Sequence, residues 1–192
     1  KNLLEMAKKY SARFLLASTI NVFFAKRFAE ALTSEYGQKK GVNVRIVRLG
    51  DVYGPRMMLL SGGAIAKLIK ETLYKQDLVI PQEAFVFPVY IDDVVEGIIK
   101  ALLSSGTKGS IVALAGPKTS VFSVAQIMKQ TIEGNGDLVF IKGESQEVPN
   151  DDGILTAGQD VIRSQALLIS WQPKVSLEEG IARTLDWFSR NR

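Results

Sequence analysis

The chain has 192 residues, of which 46% are hydrophobic and 23% charged, an ordinary composition for a globular protein. It contains no cysteine and no histidine, which excludes disulfide frameworks, thiolate nucleophiles, Cys-ligated zinc and imidazole catalysis. In an enzyme of this composition, proton transfer would fall to Lys, Tyr, Asp, Glu, Ser or Thr. We expect no tightly bound transition metal, because only carboxylates remain as strong ligands.

The net charge of +4 is unevenly spread, since residues 1–75 carry +9 and residues 76–192 carry −5. This asymmetry is typical either of an anion site in the basic part or of solvated helix faces. The basic residues are scattered and not interleaved with aromatics, so we do not expect nucleic acid as a partner. No apolar run reaches the ~18 residues that span a bilayer, and no signal peptide is recognisable. We therefore expect no membrane partner and a cytoplasmic location.

Helix and strand patterns alternate in the first part of the chain. The spacing of apolar residues predicts a helix over 2–10, a buried strand over 14–17, a helix over 24–36 that Gly37 or Gly41 would end, and a β-branched strand over 42–49. Alternation of this kind is typical of a parallel α/β sheet.

The pattern loosens after Pro55. We predict further helices over 64–74, 92–103, from Ser120 or Ser123 to 132, and 176–190, and strands over 78–80, 85–90, 110–114 and 138–142. Ser176 is a good helix cap, with Glu179 three residues later as a capping box. Residues 143–160 are polar and predict a loop.

Two polar groups lie close to the first predicted strand. Ser18 and Thr19 end it, and ligands of open α/β sheets bind outside the carboxyl ends of strands. The same pair is also an ordinary turn or helix cap. Lys26, on the next helix, could hold a ribose or lower the pKa of a neighbouring phenol, or could be a surface lysine.

Two charged segments follow later strands. The segment from Arg48 to Arg56 ends a strand in a loop punctuated by Gly and Pro, and Arg56 could pair with a phosphate or carboxylate or form a salt bridge that holds the loop. Asp92 and Asp93 could serve in acid–base or metal chemistry, but acidic side chains at a helix N-terminus explain them equally well.

Together these segments resemble the extended short-chain dehydrogenase/reductases, and more narrowly the NAD-dependent nucleotide-sugar epimerase/dehydratase/decarboxylase group. The resemblance covers nearly the whole chain in order, as the C-terminal two-thirds of that family. Its matching segments are KNLLEMAKKY at 1–10, LLASTINV at 15–22, AKRFAEAL at 25–32, VRLGDVYGPR at 47–56, VYIDDVV at 89–95 and WQPKVSLEEG at 171–180.

The resemblance implies roles for individual residues. Thr19 matches the hydroxyl that contacts the sugar oxygen undergoing oxidation, and Lys26 matches the lysine that binds the nicotinamide ribose and lowers the pKa of the catalytic tyrosine. The strand-end positions implied to contact the cofactor are Ser18, Leu49, Gly50 and Val52. Those implied to contact the substrate are Asp51 and Arg56. The tyrosine takes the hydroxyl proton while the sugar C4 gives hydride to NAD, with NADP not excluded.

The sequence also departs from the family pattern. The Gly-rich phosphate loop is absent, and the position four before Lys26 is Val22 instead of Tyr. The Ser-Thr strand and the Lys helix are almost adjacent, although the family separates them by roughly two dozen residues. We therefore expect a junction at Val22-Phe23 and missing residues before Lys1. An arginine that contacts the nucleotide diphosphate is replaced near Val86, which weakens a UDP-sugar assignment.

The resemblance implies an α/β fold: an incomplete Rossmann-type parallel sheet (its second half) with a small mixed α/β substrate-binding domain. We assign 1–56 to the former and 57–192 mainly to the latter, with about 85–115 returning to the Rossmann domain. The expected function is transient hydride transfer on a nucleotide sugar, with the catalytic Tyr and Gly-rich loop outside these 192 residues. A catalytically inactive member that binds a ligand or partner is the alternative. A homodimer through the Lys26 helix is expected, although the phenylalanines at its start could instead pack in the core.

Overall fold

The computed structural model describes residues 1–20, 24–60, 63–81, 84–132, 137–141 and 171–191. The helices are α1 (Asn2–Lys9), α2 (Phe24–Lys40), α3 (Ala64–Leu73), α4 (Ile91–Leu103), α5 (Val121–Thr131) and α6 (Leu177–Arg190). The strands are β1 (Arg13–Thr19), β2 (Asn43–Leu49), β3 (Asp51–Tyr53), β4 (Leu78–Pro81), β5 (Phe85–Val86), β6 (Pro88–Tyr90), β7 (Ile111–Leu114), β8 (Thr119–Ser120) and β9 (Leu138–Ile141). The predicted α/β class is confirmed.

The chain divides into two compact units. Of the described residues, the first unit holds 1–50, 94–114 and 171–172, and the second holds 51–93, 115–141 and 173–191. Each unit is therefore assembled from segments that are distant in sequence.

The first unit is built on a three-stranded parallel sheet in the order β1-β2-β7. The register aligns Thr19 with Leu49 and Leu49 with Leu114, so all three strands end at one edge, which we call the carboxyl edge. The helices α1 and α2 bury a cluster against the sheet that includes Leu4 and Tyr36. The unit thus presents its strand ends side by side, as a ligand-binding α/β sheet requires.

The second unit contains three two-stranded ladders around one apolar core. β3 pairs with β6 and β4 with β9 in parallel, whereas β5 pairs with β8 antiparallel. The core is formed largely by α3, α5 and α6, and its fully buried residues include Leu68, Met128 and Ile181. This mixed arrangement differs from the all-parallel sheet of the first unit.

Most predicted elements are confirmed within one or two residues, but α2 is longer than expected. The helix continues through Gly37 to Lys40, and Gly41, the other predicted helix end, follows directly with a φ of +69°. A Cβ built on Gly37 would lie 2.5 Å from Cγ2 of Val44, so this glycine allows close approach of the helix to β2. The glycine therefore serves packing inside the helix and does not end it.

The predicted strand over 85–90 is in fact two strands with different partners. Phe85 pairs with Ser120, while Tyr90 pairs with Tyr53 of β3, a strand that the sequence pattern did not predict. Both pairings join residues far apart in sequence, which explains why a local pattern did not reveal them.

Two helix caps are confirmed. The hydroxyl of Ser120 accepts from the Ser123 amide, and that of Ser176 accepts from the Glu179 amide. The Glu179 carboxylate forms an ion pair with Arg183 at 2.5 Å. In the described part of the chain, no helix is long and apolar enough to cross a bilayer.

Candidate active site at the carboxyl edge

Thr19 and Lys26 both lie at the carboxyl edge of the first unit. Thr19 is the last residue of β1 and is half-buried, and Lys26 is exposed in the first turn of α2. The Lys26 ammonium donates to the carbonyl oxygen of Ala17 at 3.4 Å. A hydroxyl and an ammonium at neighbouring positions can donate to the oxygens of a sugar or ribose.

Ser18 has a different environment from Thr19. It is buried, and its hydroxyl donates to Oε1 of Glu30 at 2.5 Å. The alternation of side chains along a strand explains the contrast between these neighbours. Ser18 thus connects β1 to α2 from within the unit, and its predicted contact with a cofactor stays a prediction.

The Glu30 carboxylate accepts hydrogen bonds from two arginines, Arg27 and Arg48, as well as from Ser18. Arg48 on β2 contacts both carboxylate oxygens, with Nε 3.1 Å from Oε1 and Nη2 2.9 Å from Oε2. Arg27 adds a third contact at 2.9 Å from Oε2. Burial raises the pKa of Glu30, but the hydrogen bonds from Arg48, Ser18 and Arg27 outweigh it and hold the pKa below its usual range. Glu30 is therefore a buried carboxylate that remains charged.

These four residues, Ser18, Arg27, Glu30 and Arg48, form what we call the Glu30 cluster, which no sequence motif predicts. One signal is present, because β2 contains Arg45 and Arg48 among its apolar residues, and a charged residue in a buried strand needs a partner. The partner itself had no local signal, since Glu30 is 18 residues away in sequence.

The end of β2 is fixed by backbone hydrogen bonds. The carbonyl of Leu49 accepts from the Ile20 amide at 3.0 Å, and the Gly50 amide donates to the Leu114 carbonyl at 2.9 Å. These bonds link all three strands at the carboxyl edge. Leu49 and Gly50 thus lie at the same edge as Thr19, within one unit.

The other predicted contact residues belong to the second unit. Val52 lies in the middle of β3, opposite Val89 of β6. Asp51 begins β3, and its carboxylate accepts from the Phe87 amide at 2.7 Å. Burial raises the pKa of Asp51, and the hydrogen bond from Phe87 offsets only part of that effect.

Arg56 lies in the turn that follows β3. It is exposed and has a φ of +66°, a left-handed conformation that is uncommon for a residue other than glycine. Strained backbone of this kind is found disproportionately at functional sites. The exposed guanidinium is consistent with either a salt bridge or an anion contact, and the substrate roles of Asp51 and Arg56 stay predictions.

The acidic pair Asp92 and Asp93 has a structural explanation. Both lie in the first turn of α4, where negative charge is favourable. Asp93 is 3% exposed, and one of its oxygens accepts from the amides of Lys174 and Val175, each at 3.1 Å. Within the described ranges, no group of three or more carboxylates could hold a metal ion.

None of the five tyrosines in the sequence stands four residues before Lys26. One Tyr-x-x-x-Lys spacing does occur, at Tyr36 and Lys40, but at the far end of α2 from Lys26. The Tyr36 hydroxyl donates to Glu5 at 2.5 Å, and the Lys40 ammonium lies 4.0 Å from the centre of the Tyr36 ring. This pair joins α1 to α2. The predicted junction at Val22-Phe23 lies outside the described residues.

Comparison with known proteins finds a matching family model and related sequences. Residues 23–115 match the model of the NAD dependent epimerase/dehydratase family. UDP-glucuronic acid decarboxylase 1 of Xenopus tropicalis is 29% identical over 219 residues, which cover 98% of this chain and 50% of the relative. The chain therefore spans about half the length of the curated relatives it matches.

Solved structures show the same fold. UDP-glucose 4-epimerase of Thermotoga maritima has a TM-score of 0.81 at 22% identity, over 98% of this chain and 67% of that one. UDP-glucuronic acid 4-epimerase of Bacillus cereus, in complex with UDP-glucuronic acid and NAD, has a TM-score of 0.79 at 22% identity. The superposition covers 99% of this chain and 66% of that one. The resemblance to the extended short-chain dehydrogenase/reductases is confirmed, and the match to the NAD-dependent epimerase/dehydratase family model covers residues 23–115.

Proposed function

We propose that the chain is part of an NAD-dependent nucleotide-sugar epimerase, dehydratase or decarboxylase. The observation that carries this proposal is the placement of Thr19 and Lys26 together at the carboxyl edge of a parallel sheet. The family match and the relatives named for UDP-glucuronic acid support a nucleotide-sugar substrate. We assign cofactor binding to the first unit and substrate binding to the second.

The residues of the carboxyl edge fit the nicotinamide-ribose half of NAD. Lys26 offers an exposed ammonium to the ribose hydroxyls, and Thr19 offers a hydroxyl to the reacting sugar oxygen. Gly50 lies at the same edge and has no side chain. The Gly-rich phosphate loop is not in the sequence, so we assign no residue of this chain to the pyrophosphate.

When bound, NAD supplies a hydride acceptor. The residues of this chain orient the reactants: Thr19 holds the sugar oxygen, and the positive charge of Lys26 favours ionisation of a nearby acid. Asp51 and Arg56 would contact the substrate. The proton acceptor would come from a tyrosine outside these 192 residues, and the length of the match supports missing internal residues. The alignment with the Xenopus protein runs over 219 positions, more than the whole chain holds.

A binding test uses NADH, whose fluorescence changes when it binds to a protein. We expect the chain to bind NADH and Lys26→Ala to bind it about tenfold more weakly, because one charged contact is lost. Lys39→Ala is the matched control, since Lys39 lies on the same helix, is exposed and pairs only at the surface with Glu35. Equal affinity of wild type and Lys26→Ala for NADH would refute the role of Lys26.

The alternative, a family member that binds but does not catalyse, is favoured by Val22 in the position of the catalytic tyrosine. Addition of UDP-glucuronic acid and NAD to the full-length protein that contains this chain, followed at 340 nm and by product analysis, separates the two functions. Turnover supports the enzyme. Binding of NADH and sugar nucleotide without turnover supports the binding protein.

We also propose a homodimer through the exposed face of α2. Phe24 and Phe28 are 90% and 67% exposed, one helical turn apart, so within this chain they do not pack in the core. Leu3 and Met6 of α1 are exposed as well. Replacement of both phenylalanines by serine should convert a dimer to a monomer in sedimentation analysis. A wild-type monomer at micromolar concentration would contradict this proposal, and cytoplasmic location stays a prediction.

A further inference from the structure

Glu30 lies one helical turn after Lys26 on α2. At a spacing of four residues, the two side chains project from the same part of the helix surface. Lys26 reaches the backbone at the end of β1 through Ala17, and Glu30 reaches the next residue, Ser18. The ammonium and the carboxylate therefore contact consecutive residues of one strand.

Arg48 extends this contact to the neighbouring strand. It lies opposite Ser18 in the β1–β2 register and contacts both oxygens of Glu30. A guanidinium that binds two carboxylate oxygens fixes orientation as well as distance. A single side chain, Glu30, thus joins the start of α2 to the ends of β1 and β2.

Attaching a helix to a sheet through a buried ion pair costs desolvation free energy. Glu30 is 4% exposed, and an apolar residue of similar size would give comparable stability without the cost of burying a charge. Buried ionic groups of this kind are better suited to fixing one geometry than to adding stability. The geometry fixed here is that of Thr19 and Lys26.

We propose that Glu30 is a positioning residue: it holds the first turns of α2 against the ends of β1 and β2 and so sets the separation of the Lys26 ammonium and the Thr19 hydroxyl. This inference rests on the proposed function for its ligand, but the placement of the two groups is a property of the chain itself. Glu30 is not expected to contact cofactor or substrate.

The test compares Glu30→Gln with Glu35→Gln. Glu35 lies on the same helix but is exposed and pairs with Lys39, so its variant controls for loss of one negative charge from α2. NADH affinity is measured by fluorescence at a temperature well below the thermal unfolding midpoint of each variant. Only folded protein then contributes to the signal. We expect about tenfold weaker binding for Glu30→Gln, because small misplacements of a binding group have effects of this size or larger, and no change for Glu35→Gln.

Amide hydrogen exchange provides a readout that needs no ligand. The Ile20 amide bonds to Leu49 at the carboxyl edge, and the Gly109 amide bonds to the Val44 carbonyl towards the opposite end of β2. Glu30→Gln should accelerate exchange at Ile20 about tenfold and leave Gly109 unchanged, because the loss of positioning is local. Acceleration of both amides alike would indicate a general structural role and overturn the proposal.

The outcomes separate the two proposals. If wild type and Glu30→Gln bind NADH equally, the positioning role is wrong while the cofactor assignment stands. If wild type does not bind NADH, the cofactor assignment falls, and the exchange at Ile20 decides the positioning role: local acceleration supports it and unchanged exchange overturns it.

Discussion

The two units of the chain hold their strand ends by different physical means. In the first unit, β1 and β2 are joined to α2 through the charged Glu30 cluster. In the second unit, β3 and β6 end in two tyrosines whose rings meet edge to face, with centres 5.7 Å apart. Gly180 of α6 packs directly against Tyr53. The strand ends of the first unit are thus held by charged side chains, and those of the second unit by the close packing of aromatic rings.

One carboxylate in each unit shows the same difference. The pKa of Glu30 is lowered, because two arginines and a serine outweigh burial, whereas the pKa of Asp51 is raised, because burial outweighs its one backbone hydrogen bond. A carboxylate of the first unit therefore favours the charged form, and one of the second disfavours it. Burial alone therefore does not decide the charge state of a carboxylate, because the hydrogen-bond partners can outweigh it.

Removal of Arg48 is the largest expected perturbation. Arg48→Met should lower the free energy of unfolding by about 3 kcal/mol, because it leaves Glu30 buried with fewer compensating contacts. Urea denaturation followed by Trp171 fluorescence in a Trp187→Phe background reports on the first unit. Arg190→Met is the control, since its exposed pair with Asp186 should contribute under ~1 kcal/mol. Equal effects of both variants would contradict a charge-dependent first unit.

Gly180→Ala tests the dependence of the second unit on shape. The added Cβ would lie 2.3 Å from the Tyr53 hydroxyl oxygen, and Tyr53 is only 2% exposed, so it cannot move aside freely. We expect a loss of about 2 kcal/mol in the free energy of unfolding. Gly106→Ala, where the Cβ would meet only the Ser104 side chain at 3.8 Å, should stay within ~0.5 kcal/mol of wild type. A fully stable Gly180→Ala protein would show that this packing is loose.

Opposite pH dependences should distinguish the two carboxylates. The folded pKa of Glu30 is lowered from 4.5, so its stabilising contribution is present above pH 4.5 and is lost as the pH falls through the folded pKa. The difference in the free energy of unfolding between wild type and Glu30→Gln should therefore become smaller below pH 4.5. Denaturation midpoints between pH 3 and 7 measure this, and a constant deficit would contradict the assigned pKa direction.

Asp51 should behave in the reverse sense, with a smaller effect. Its folded pKa is raised from 3.8, so its contribution is most favourable below pH 3.8 and is lost as the pH rises through the folded pKa. Asp51→Asn keeps an acceptor for the Phe87 amide and should be at least as stable as wild type at pH 7. Any advantage should disappear near pH 3.5. Destabilisation at pH 7 would mean that the charged form of Asp51 is needed for folding.

The sequence predicted those features that depend on local chemistry. Ser176 is predicted as a cap, and Ser120 as one of two possible caps beside Ser123, because a hydroxyl before an apolar periodic segment is a local signal. Thr19 and Lys26 were found through motifs, and the structure places both at the carboxyl edge.

The features that the sequence did not predict depend on distant partners. Of the two glycines predicted as possible ends of α2, Gly41 follows the helix, whereas the contact of Gly37 with Val44 is tertiary and has no local signal. β3 was missed because its partner β6 lies 37 positions away, at Asp51 and Pro88. Glu30 was missed because no local pattern distinguishes a buried acid on a helix from a solvated one.

The close packing of Gly37 on Val44 has a consequence for the carboxyl edge. A helix is stiff, and Gly37 lies seven residues, about 10 Å, from Glu30 along α2. Val44 is β-branched and fully buried, so its side chain has little freedom to move. A methyl group at Gly37 would therefore push that end of α2 away from the sheet and tilt the whole helix. The absence of a side chain at Gly37 thus sets the distance between α2 and the sheet. It thereby also affects the position of Lys26, three turns earlier on the helix.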